Sequence, residues 1–200
     1  PPSQLRAKPS KPSSRTRTDS GQVRIIGGRW RSRRIQFPDS PGLRPTPDRV
    51  RETLFNWLGQ DLSGCRCLDL YAGSGALGFE ALSRGAEHVT MVERHEAVVR
   101  GLLENAGQLD AAGAEIIRAD ALEFMRRTAG RRFDVIFLDP PFEAGVPAEV
   151  WGLLPECLAP GGRVFLESGA RPDLPEGWTA IKSGRAGQVN FQLLQWGTEC

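Results

Sequence analysis

The chain has 200 residues, of which 40% are hydrophobic and 25% are charged, and this suits one domain of ordinary size with short appendages. No apolar run approaches the roughly 18 residues of a membrane span, and the four cysteines lack Cys-x-x-Cys spacing and nearby histidines, so we expect a cytoplasmic monomer with neither zinc nor a membrane partner. The net charge of +2 hides an asymmetry that favours a polyanionic partner, because residues 1–51 carry a net +10 and residues 52–200 a net −8.

The N-terminal quarter divides into a tail and an arm. Residues 1–22 are rich in Pro, Ser and Arg and have almost no apolar side chain after Leu5, which predicts a disordered basic tail. Residues 23–46 are predicted to form two short strands and a loop, with the bend near 27–28 or 31–33. Arginines interleaved with flat rings are typical of a nucleic-acid surface, because cations contact phosphates and rings stack on unstacked bases. The candidate contacts in this arm are Arg24, Arg29, Trp30, Arg31, Arg33 and Arg34.

A first helix is predicted over residues 47–60, where the main domain (47–200) begins. Thr46 is a candidate N-cap and Pro47 suits the first helical position. Apolar residues recur at helical spacing at Val50, Leu54, Trp57 and Leu58. Off that stripe we expect Arg49, Arg51 and Glu52 to face solvent.

Strands then alternate with helices, which predicts a mostly parallel sheet with right-handed crossovers. Strands are predicted at residues 67–71, 89–93, 115–118, 133–138 and 163–167. Between them we expect helices ending near residue 83 and spanning 95–109, 121–128 and 147–157. Residues 178–183 and 189–196 are predicted to close the sheet as an antiparallel pair. The fold class is therefore α/β and Rossmann-like.

A glycine loop follows the first strand of this sheet. Gly73-x-Gly75-x-x-Gly78 formally matches the dinucleotide fingerprint, so an NAD-dependent oxidoreductase is one interpretation. Asp69, four residues before the first glycine, would attract an ammonium group and repel a pyrophosphate. Glu93 ends the next strand, where an acid hydrogen-bonds ribose hydroxyls, and Asp120 is placed for an adenine amine. Together these residues favour S-adenosyl-L-methionine as the ligand.

The motif Asp139-Pro140-Pro141-Phe142 ends the buried strand at 133–138. Two consecutive prolines remove two N–H donors, so the local backbone offers only carbonyls. Asp139 and the Pro140 carbonyl could accept both hydrogens of an exocyclic amine, and Phe142 offers a ring for stacking. Acceptors there would stabilise the positive charge that develops on an attacking amine. Carbon methylation of cytosine would need a cysteine nucleophile, and Cys157 on a predicted helix is interpreted as core.

Three stretches resemble a known family. They are the run from Gly42 to Leu58 (GLRPTPDRVRETLFNWL), the pair Leu68-Asp69 with Ala72 to Gly78 (AGSGALG), and Val23 to Gly28 (VRIIGG). With the Asp-Pro-Pro-Phe motif and the late Ala186-Gly187-Gln188-Val189, they are similar to the bacterial RsmD group. That group comprises guanine-N2 methyltransferases of the 16S ribosomal RNA, and the resemblance covers about residues 23–196.

The resemblance implies a seven-stranded, mostly parallel methyltransferase fold with an antiparallel C-terminal strand and an N-terminal RNA-facing hairpin. It implies S-adenosyl-L-methionine as donor and one guanine of 16S rRNA in the small ribosomal subunit, or its assembly intermediate, as acceptor. Implied donor-site residues are Asp69, Tyr71, Gly73, Ser74, Gly75, Glu93, Arg94, Asp120 and Ala121. Implied acceptor-site residues are Asp139, Pro140, Pro141 and Phe142, with Arg44 and Thr46 closing over donor and base.

Two alternatives stay open from the sequence. Asp-Pro-Pro-Phe is shared with DNA adenine-N6 and cytosine-N4 methyltransferases, so DNA is the second candidate substrate. A related Asn-Pro-Pro-Tyr form marks protein-glutamine methylation, and Asp at position 139 argues against that class. The nicotinamide oxidoreductase stays as the most distant alternative.

Overall fold

The computed structural model describes residues 20–128, 130–141 and 144–197. It contains a two-stranded hairpin and a seven-stranded sheet with helices on both faces. The strands are β1 (Ser20–Arg24), β2 (Arg34–Pro38), β3 (Arg66–Asp69), β4 (His88–Glu93), β5 (Ala114–Arg118), β6 (Phe133–Leu138), β7 (Leu158–Ser168), β8 (Trp178–Ala186) and β9 (Val189–Trp196). The helices are α1 (Asp48–Trp57), α2 (Ala76–Ser83), α3 (Glu96–Leu109), α4 (Ala121–Arg127) and α5 (Ala148–Cys157), with a 3₁₀ turn at Gly28–Trp30.

The sheet has the order β5-β4-β3-β6-β7-β9-β8. The strands β3 to β7 pair in parallel, and β9 is antiparallel to both β7 and β8. The predicted α/β class with an antiparallel C-terminal strand is therefore confirmed. The strand order reverses at β3, which pairs with β4 on one side and β6 on the other. In open α/β sheets the ligand crevice forms outside the carboxyl ends of the strands at such a switch point.

Two hydrophobic cores cover the two faces of the sheet. Side chains alternate along a strand, so Cys67, Phe137 and Phe165 pack on one face with α1, α2, α3 and the hairpin. Leu68 and Ile136 pack on the other face with α4 and α5. The residues at or just after the carboxyl ends of β3, β6 and β7 continue this alternation. Their position in it determines which acidic side chains lie on the same face at the carboxyl edge.

The hairpin is docked on two helices. The Ser83 hydroxyl accepts from the Trp30 N–H at 2.9 Å and donates to the Gly27 carbonyl at 2.6 Å. Asn105 in α3 accepts from the Gln36 N–H and donates to the Gln36 carbonyl, at 3.1 and 2.6 Å. Trp30 is buried, so its predicted role as an open stacking surface for a base is wrong: the indole is part of the hydrophobic core.

A buried ion pair links the hairpin to α1 and α2. Glu80 accepts from the Ile26 and Gly27 N–H groups at 2.9 and 2.8 Å, and from Arg51 at 3.1 Å. Arg84 donates to the same carboxylate at 2.9 Å. Arg51 was expected on the solvent side of α1 and is instead fully buried, because its charge is matched by Glu80 across the helix interface.

Several element boundaries differ from the prediction. β1 begins at Ser20, inside the stretch predicted as tail, because its register with β2 extends to Pro38; the rest of that tail, residues 1–19, lies outside the described residues. The cap of α1 is Pro47, and Thr46 uses its hydroxyl elsewhere. β7 starts at Leu158, earlier than the strand predicted at 163–167, and its register shifts against β6. Within the described ranges, no helix has both the length and the apolar character to cross a membrane.

Candidate active site

The glycine loop lies between β3 and α2 and is held by the end of β4. The Gly73 N–H donates to Glu93 Oε2 at 3.2 Å, and the other oxygen of that carboxylate accepts from the His95 N–H at 2.8 Å. Gly75 caps α2 with a φ of 79°, in the left-handed region that glycine adopts without strain. The structure therefore brings together the loop and the acid that the sequence assigned to one ligand.

Asp69 lies beneath this loop. Its carboxylate accepts from the Gly78 N–H at 3.0 Å, and the side chain is 1% exposed. A Cβ at Gly78 would come within 2.7 Å of the Met91 sulfur and 3.3 Å of Asp69 Oδ2, so this glycine permits the close packing of α2 on the sheet. Burial, then the charge of Asp139, raises the pKa of Asp69 to about 7.

Tyr71 and Ala121 pack in the core on the face of α4 and α5, and Asp120 directly precedes Ala121. Asp120 is the N-cap of α4, where Oδ1 accepts from the Leu122 and Glu123 N–H groups. Burial, then the charge of Asp120, raises the pKa of the half-buried Tyr71 to about 12. Ala121 is buried at the start of α4. Asp120 thus has a capping role, which its position before a helix could have indicated.

Ser74 and Arg94 make local contacts. The Ser74 hydroxyl is buried and accepts from the Ala76 N–H at 3.3 Å. Arg94 is exposed and its Nε donates to His95 Nε2 at 3.1 Å.

Asp139 follows β6 and contacts the loop before α1. The buried Thr46 hydroxyl donates to Asp139 Oδ2 at 3.3 Å. Burial raises the pKa of Asp139, and the hydrogen bond from Thr46 opposes that shift. Asp69 at the end of β3 pairs with Phe137 of β6, two residues before Asp139, so the motif and the glycine loop share one edge of the sheet.

The two prolines present their carbonyls differently. The Pro141 carbonyl closes a turn by accepting from the Ala144 and Gly145 N–H groups at 2.9 and 3.3 Å. No donor among the described residues bonds the Pro140 carbonyl, which stays available beside Asp139. Phe142 lies outside the described residues.

Glu167 is a site residue that the sequence interpretation missed. It lies at the end of β7, beside Asp139, and is 4% exposed. Burial, then the charge of Asp139, raises its pKa, while Thr46 opposes the shift. The same pattern that selected Asp69 and Glu93, an acid ending an apolar run, was present at residues 164–167 and would have identified it.

The loop between β2 and α1 covers the glycine turn. A Cβ at Gly73 would come within 2.8 Å of the Leu43 side chain. Arg44, the next residue, is exposed. This loop therefore connects the basic hairpin to the glycine turn through Leu43 and to Asp139 through Thr46.

The predicted arginines of the hairpin are exposed. Arg24 pairs with Asp48 at 3.5 Å, Arg33 donates to the Gln108 carbonyl at 2.7 Å, and Arg34 donates to Gln22 at 3.3 Å. Arg29 stacks over the Trp30 ring, with its guanidinium carbon 4.2 Å from the ring centroid, and Arg31 faces solvent.

A groove of about 400 Å³ runs from the hairpin to Thr46, whose hydroxyl bonds Asp139. It is lined by Gln22, Val23, Arg24, Arg34 and residues 45–48. A larger cavity of about 560 Å³ lies around the amino-terminal half of β7, at the other end of that strand from Glu167. Of the two, only the groove adjoins the site. In the ranges that the structure describes, no group of three or more His, Cys, Asp or Glu side chains is arranged to hold a metal ion.

Comparison of the sequence with known proteins identifies its family. The family described as Conserved hypothetical protein 95 matches residues 23–195. The ribosomal RNA small subunit methyltransferase D of Escherichia coli strain K12 is 45% identical over 181 residues, which cover 88% of this chain and 91% of the relative.

Solved structures of methyltransferases have a similar fold. The yhhF protein of Escherichia coli superposes with a TM-score of 0.78 at 42% identity and covers 90% of this chain and 100% of its own. The SMU.776 protein complexed with SAH matches with a TM-score of 0.63 over 80% of this chain and 53% of its own, and its 15% identity shows a shared fold alone. Because the agreement in sequence extends over most of both chains, the protein belongs to the ribosomal RNA small subunit methyltransferase D family, the RsmD group that its motifs resemble.

Proposed function

We propose that this protein transfers a methyl group from S-adenosyl-L-methionine to the exocyclic N2 amine of a guanine in 16S rRNA. The observation that carries this proposal is that Asp139 and the Pro140 carbonyl, which no donor among the described residues bonds, lie at the same sheet edge as the glycine loop. The name of the Escherichia coli relative supports ribosomal RNA of the small subunit as the substrate class.

For the methyl donor, the chain offers a glycine loop that a ligand can approach closely and two acids, Glu93 and Asp120, at the ends of the neighbouring strands. Gly73 and Gly75 are proposed to let the backbone approach the ligand, Glu93 to accept from ribose hydroxyls, and Asp120 to accept from the adenine amine. S-adenosyl-L-methionine supplies a methyl group activated by a sulfonium. Its ammonium and sulfonium charges suit an edge where the buried Asp69 and Glu167 lie with the half-buried Asp139 and no cation pairs with them among the described residues. SMU.776, which shares the fold, was found with SAH, the demethylated form of this donor.

On the acceptor side, the chain holds the amine in the orientation for attack. Asp139 and the Pro140 carbonyl accept its two hydrogens, so the nitrogen lone pair turns out of conjugation with the ring. Positive charge develops on that nitrogen as the new bond forms, and Asp139 stabilises it at short range in a poorly solvated site. Phe142 is proposed to stack on the base. The amine loses its proton after methylation, so the site needs no strong base.

The hairpin supplies the RNA contacts. The exposed arginines of β1, β2 and the turn are proposed to bind phosphates next to the target, and the groove beside Thr46 leads from them to Asp139. A base cannot be methylated inside a stack, so the target guanine lies in a loop or is turned out of its helix.

The test is methyl transfer with radiolabelled donor to four substrates: under-methylated small subunits, assembly intermediates, naked 16S rRNA and duplex DNA. We expect label in the rRNA of at least one ribosomal substrate, at a single guanine after nuclease digestion, as N2-methylguanine. Label in adenine or cytosine of the DNA alone would refute the proposal.

The hairpin has its own control. Replacing Arg31, which faces solvent, and Arg33 by alanine should weaken rRNA binding and reduce the slope of log affinity against log salt by about 1 to 2, as expected for one lost phosphate contact per arginine. Arg127→Ala, an exposed arginine on α4, serves as the matched control on the opposite face of the sheet.

A further inference from the structure

Glu167 and Asp139 are neighbours in the sheet. Leu166 of β7 pairs in parallel with Leu138 of β6, so the next residues of the two strands are Glu167 and Asp139. Both follow the alternation of Phe165 and Phe137, whose rings meet with centroids 6.5 Å apart on the face covered by α1. Both carboxyl groups therefore project toward α1.

Thr46 stands between the two acids. Its hydroxyl donates to Asp139 Oδ2 at 3.3 Å and also lies against the Glu167 carboxyl. A hydroxyl has a single hydrogen to donate, so Thr46 cannot satisfy both carboxyl groups.

Glu167 has a carboxyl oxygen that no described residue bonds. The side chain is 4% exposed, and Oε2 has no hydrogen-bond partner among the residues that the structure describes. Buried polar atoms are nearly always paired, because leaving one unpaired destabilises the fold, and more so when it is charged. Ser168 and Gln192 also have unpaired buried oxygens, but they alternate to the opposite face, away from Asp139.

Guanine has a donor at the matching place. Its N1–H lies directly beside the N2 amine, so an acceptor next to the one that holds the amine can bond it. Adjacent parallel strands are about 4.8 Å apart, and side chains from two of them can reach neighbouring atoms of one base edge. In adenine and cytosine the ring nitrogen beside the amine is unprotonated and would face a carboxylate oxygen.

We propose that Glu167 accepts the N1–H of the target guanine and makes the site selective for guanine over bases whose amine adjoins an unprotonated ring nitrogen. The inference rests on the proposed function and names the residue that would set its base specificity. Sites that hydrogen-bond a substrate group reject the analogue that lacks it far more strongly than apolar pockets discriminate, because the site's own buried group is left unpaired.

The test compares guanine with 2-aminopurine at the methylated position. 2-Aminopurine keeps the 2-amine and has an unprotonated N1. It also lacks the 6-oxygen, so the informative quantity is the change in the ratio of kcat/KM between the two substrates when Glu167 is replaced. We expect the wild type to prefer guanine by at least about 100-fold.

Glu167→Gln presents an amide whose NH₂ can donate to an unprotonated N1. We expect this variant to lose about 10- to 100-fold on guanine and to lose nothing, or gain, on 2-aminopurine, so that the ratio falls at least about tenfold. Glu156→Gln, on the exposed side of α5, is the matched control and should leave the ratio unchanged.

Equal losses on both substrates, or no loss on either, would overturn the inference. Loss of donor binding by calorimetry in Glu167→Gln would also overturn it, since Glu167 would then belong to the donor pocket. If Glu167→Gln does not fold, Glu167→Asp is used: its shortened carboxylate should lose guanine activity without gaining on 2-aminopurine. A wild type that methylates no guanine refutes the proposed function itself, whereas a guanine-methylating wild type with an unmoved ratio refutes only the role of Glu167.

Discussion

Two buried acids on the same face of the sheet are treated in opposite ways. Glu80 in α2 receives two backbone N–H groups and two arginines, and it lies under the hairpin. Glu167 at the end of β7 is equally buried, yet one of its oxygens has no partner among the described residues and its neighbour is another acid. The chain supplies every donor that the first acid needs and few for the second.

The difference separates architecture from chemistry. Burying a charge costs several kcal/mol unless it is paired. A buried charge that is paired within the chain can therefore serve as a structural contact. An unpaired one is tolerated where a ligand completes it. Glu80 fixes the hairpin to the domain, and the Asp69, Asp139 and Glu167 set leaves its pairing to a cationic donor and a base with N–H groups. Four predictions test this division.

The largest effect is expected from Asp139→Ala. Removing the acceptor of the amine should lower kcat by at least about 10³-fold, because the charge that develops on the nitrogen loses its nearest stabilising group. Donor binding should persist, as measured by isothermal calorimetry, because the glycine loop and Glu93 are intact. If donor binding disappeared together with transfer, Asp139 would belong to the donor pocket.

Arg51→Ala tests the paired region. It leaves Glu80 buried with one cation fewer, and we expect a loss of about 3 kcal/mol in the free energy of unfolding, measured by urea denaturation. Arg49→Ala, two residues earlier on the exposed side of the same helix, should change it by less than about 0.5 kcal/mol. Similar losses in both variants would mean that the ion pair adds no more than a surface residue.

Matched glutamate-to-glutamine changes compare the two acids directly. Glu80→Gln should destabilise the fold by about 1.5 to 3 kcal/mol, since two arginines lose their counter-charge. Glu167→Gln should be neutral or stabilising in urea denaturation at pH 8, because it removes a buried acid that pairs with no cation among the described residues. Equal destabilisation by the two changes would remove the distinction drawn here.

Sequence patterns predicted the sheet well for a physical reason. Parallel strands are apolar throughout and end in acids, glycines or prolines, so their ends were visible at Asp69, Glu93 and Asp139. The carboxyl edge follows from parallel pairing alone, and the glycine loop and the Asp-Pro-Pro motif had to share it once the fold class was known.

What was missed depends on partners distant in sequence. Arg51 looked like a surface residue until Glu80, 29 positions later, was seen to face it. Thr46 is of a residue type that often caps the N-terminus of a helix, but its hydroxyl bonds Asp139, 93 positions away. Trp30 looked like a base-stacking ring because arginines flank it in the sequence, but its side chain packs in the core. A local pattern does not reveal which polar groups tertiary packing will bring together.

The pH dependence of stability gives the smallest effect. Asp69, Asp139 and Glu167 have raised pKa values, so each holds its proton to a higher pH in the folded chain than in the unfolded chain. Between about pH 4 and those values the folded state binds more protons, and the free energy of unfolding therefore falls as the pH rises. The part due to Asp69, with a pKa of about 7, is lost as the pH passes through neutrality.

We expect urea denaturation to show a decrease of about 1 kcal/mol between pH 6 and pH 8, given about 1.4 kcal/mol per proton and pH unit as the upper slope. Asp69→Asn removes one of the three titrations and keeps an oxygen that can accept from the Gly78 N–H, so its slope should be shallower. Donor binding adds positive charge to the same edge, which should release protons near pH 7 in calorimetry with buffers of different ionisation enthalpy. Stability that rises over this range, with no proton release, would mean that these carboxyl groups already have partners, and the contrast with Glu80 would fail.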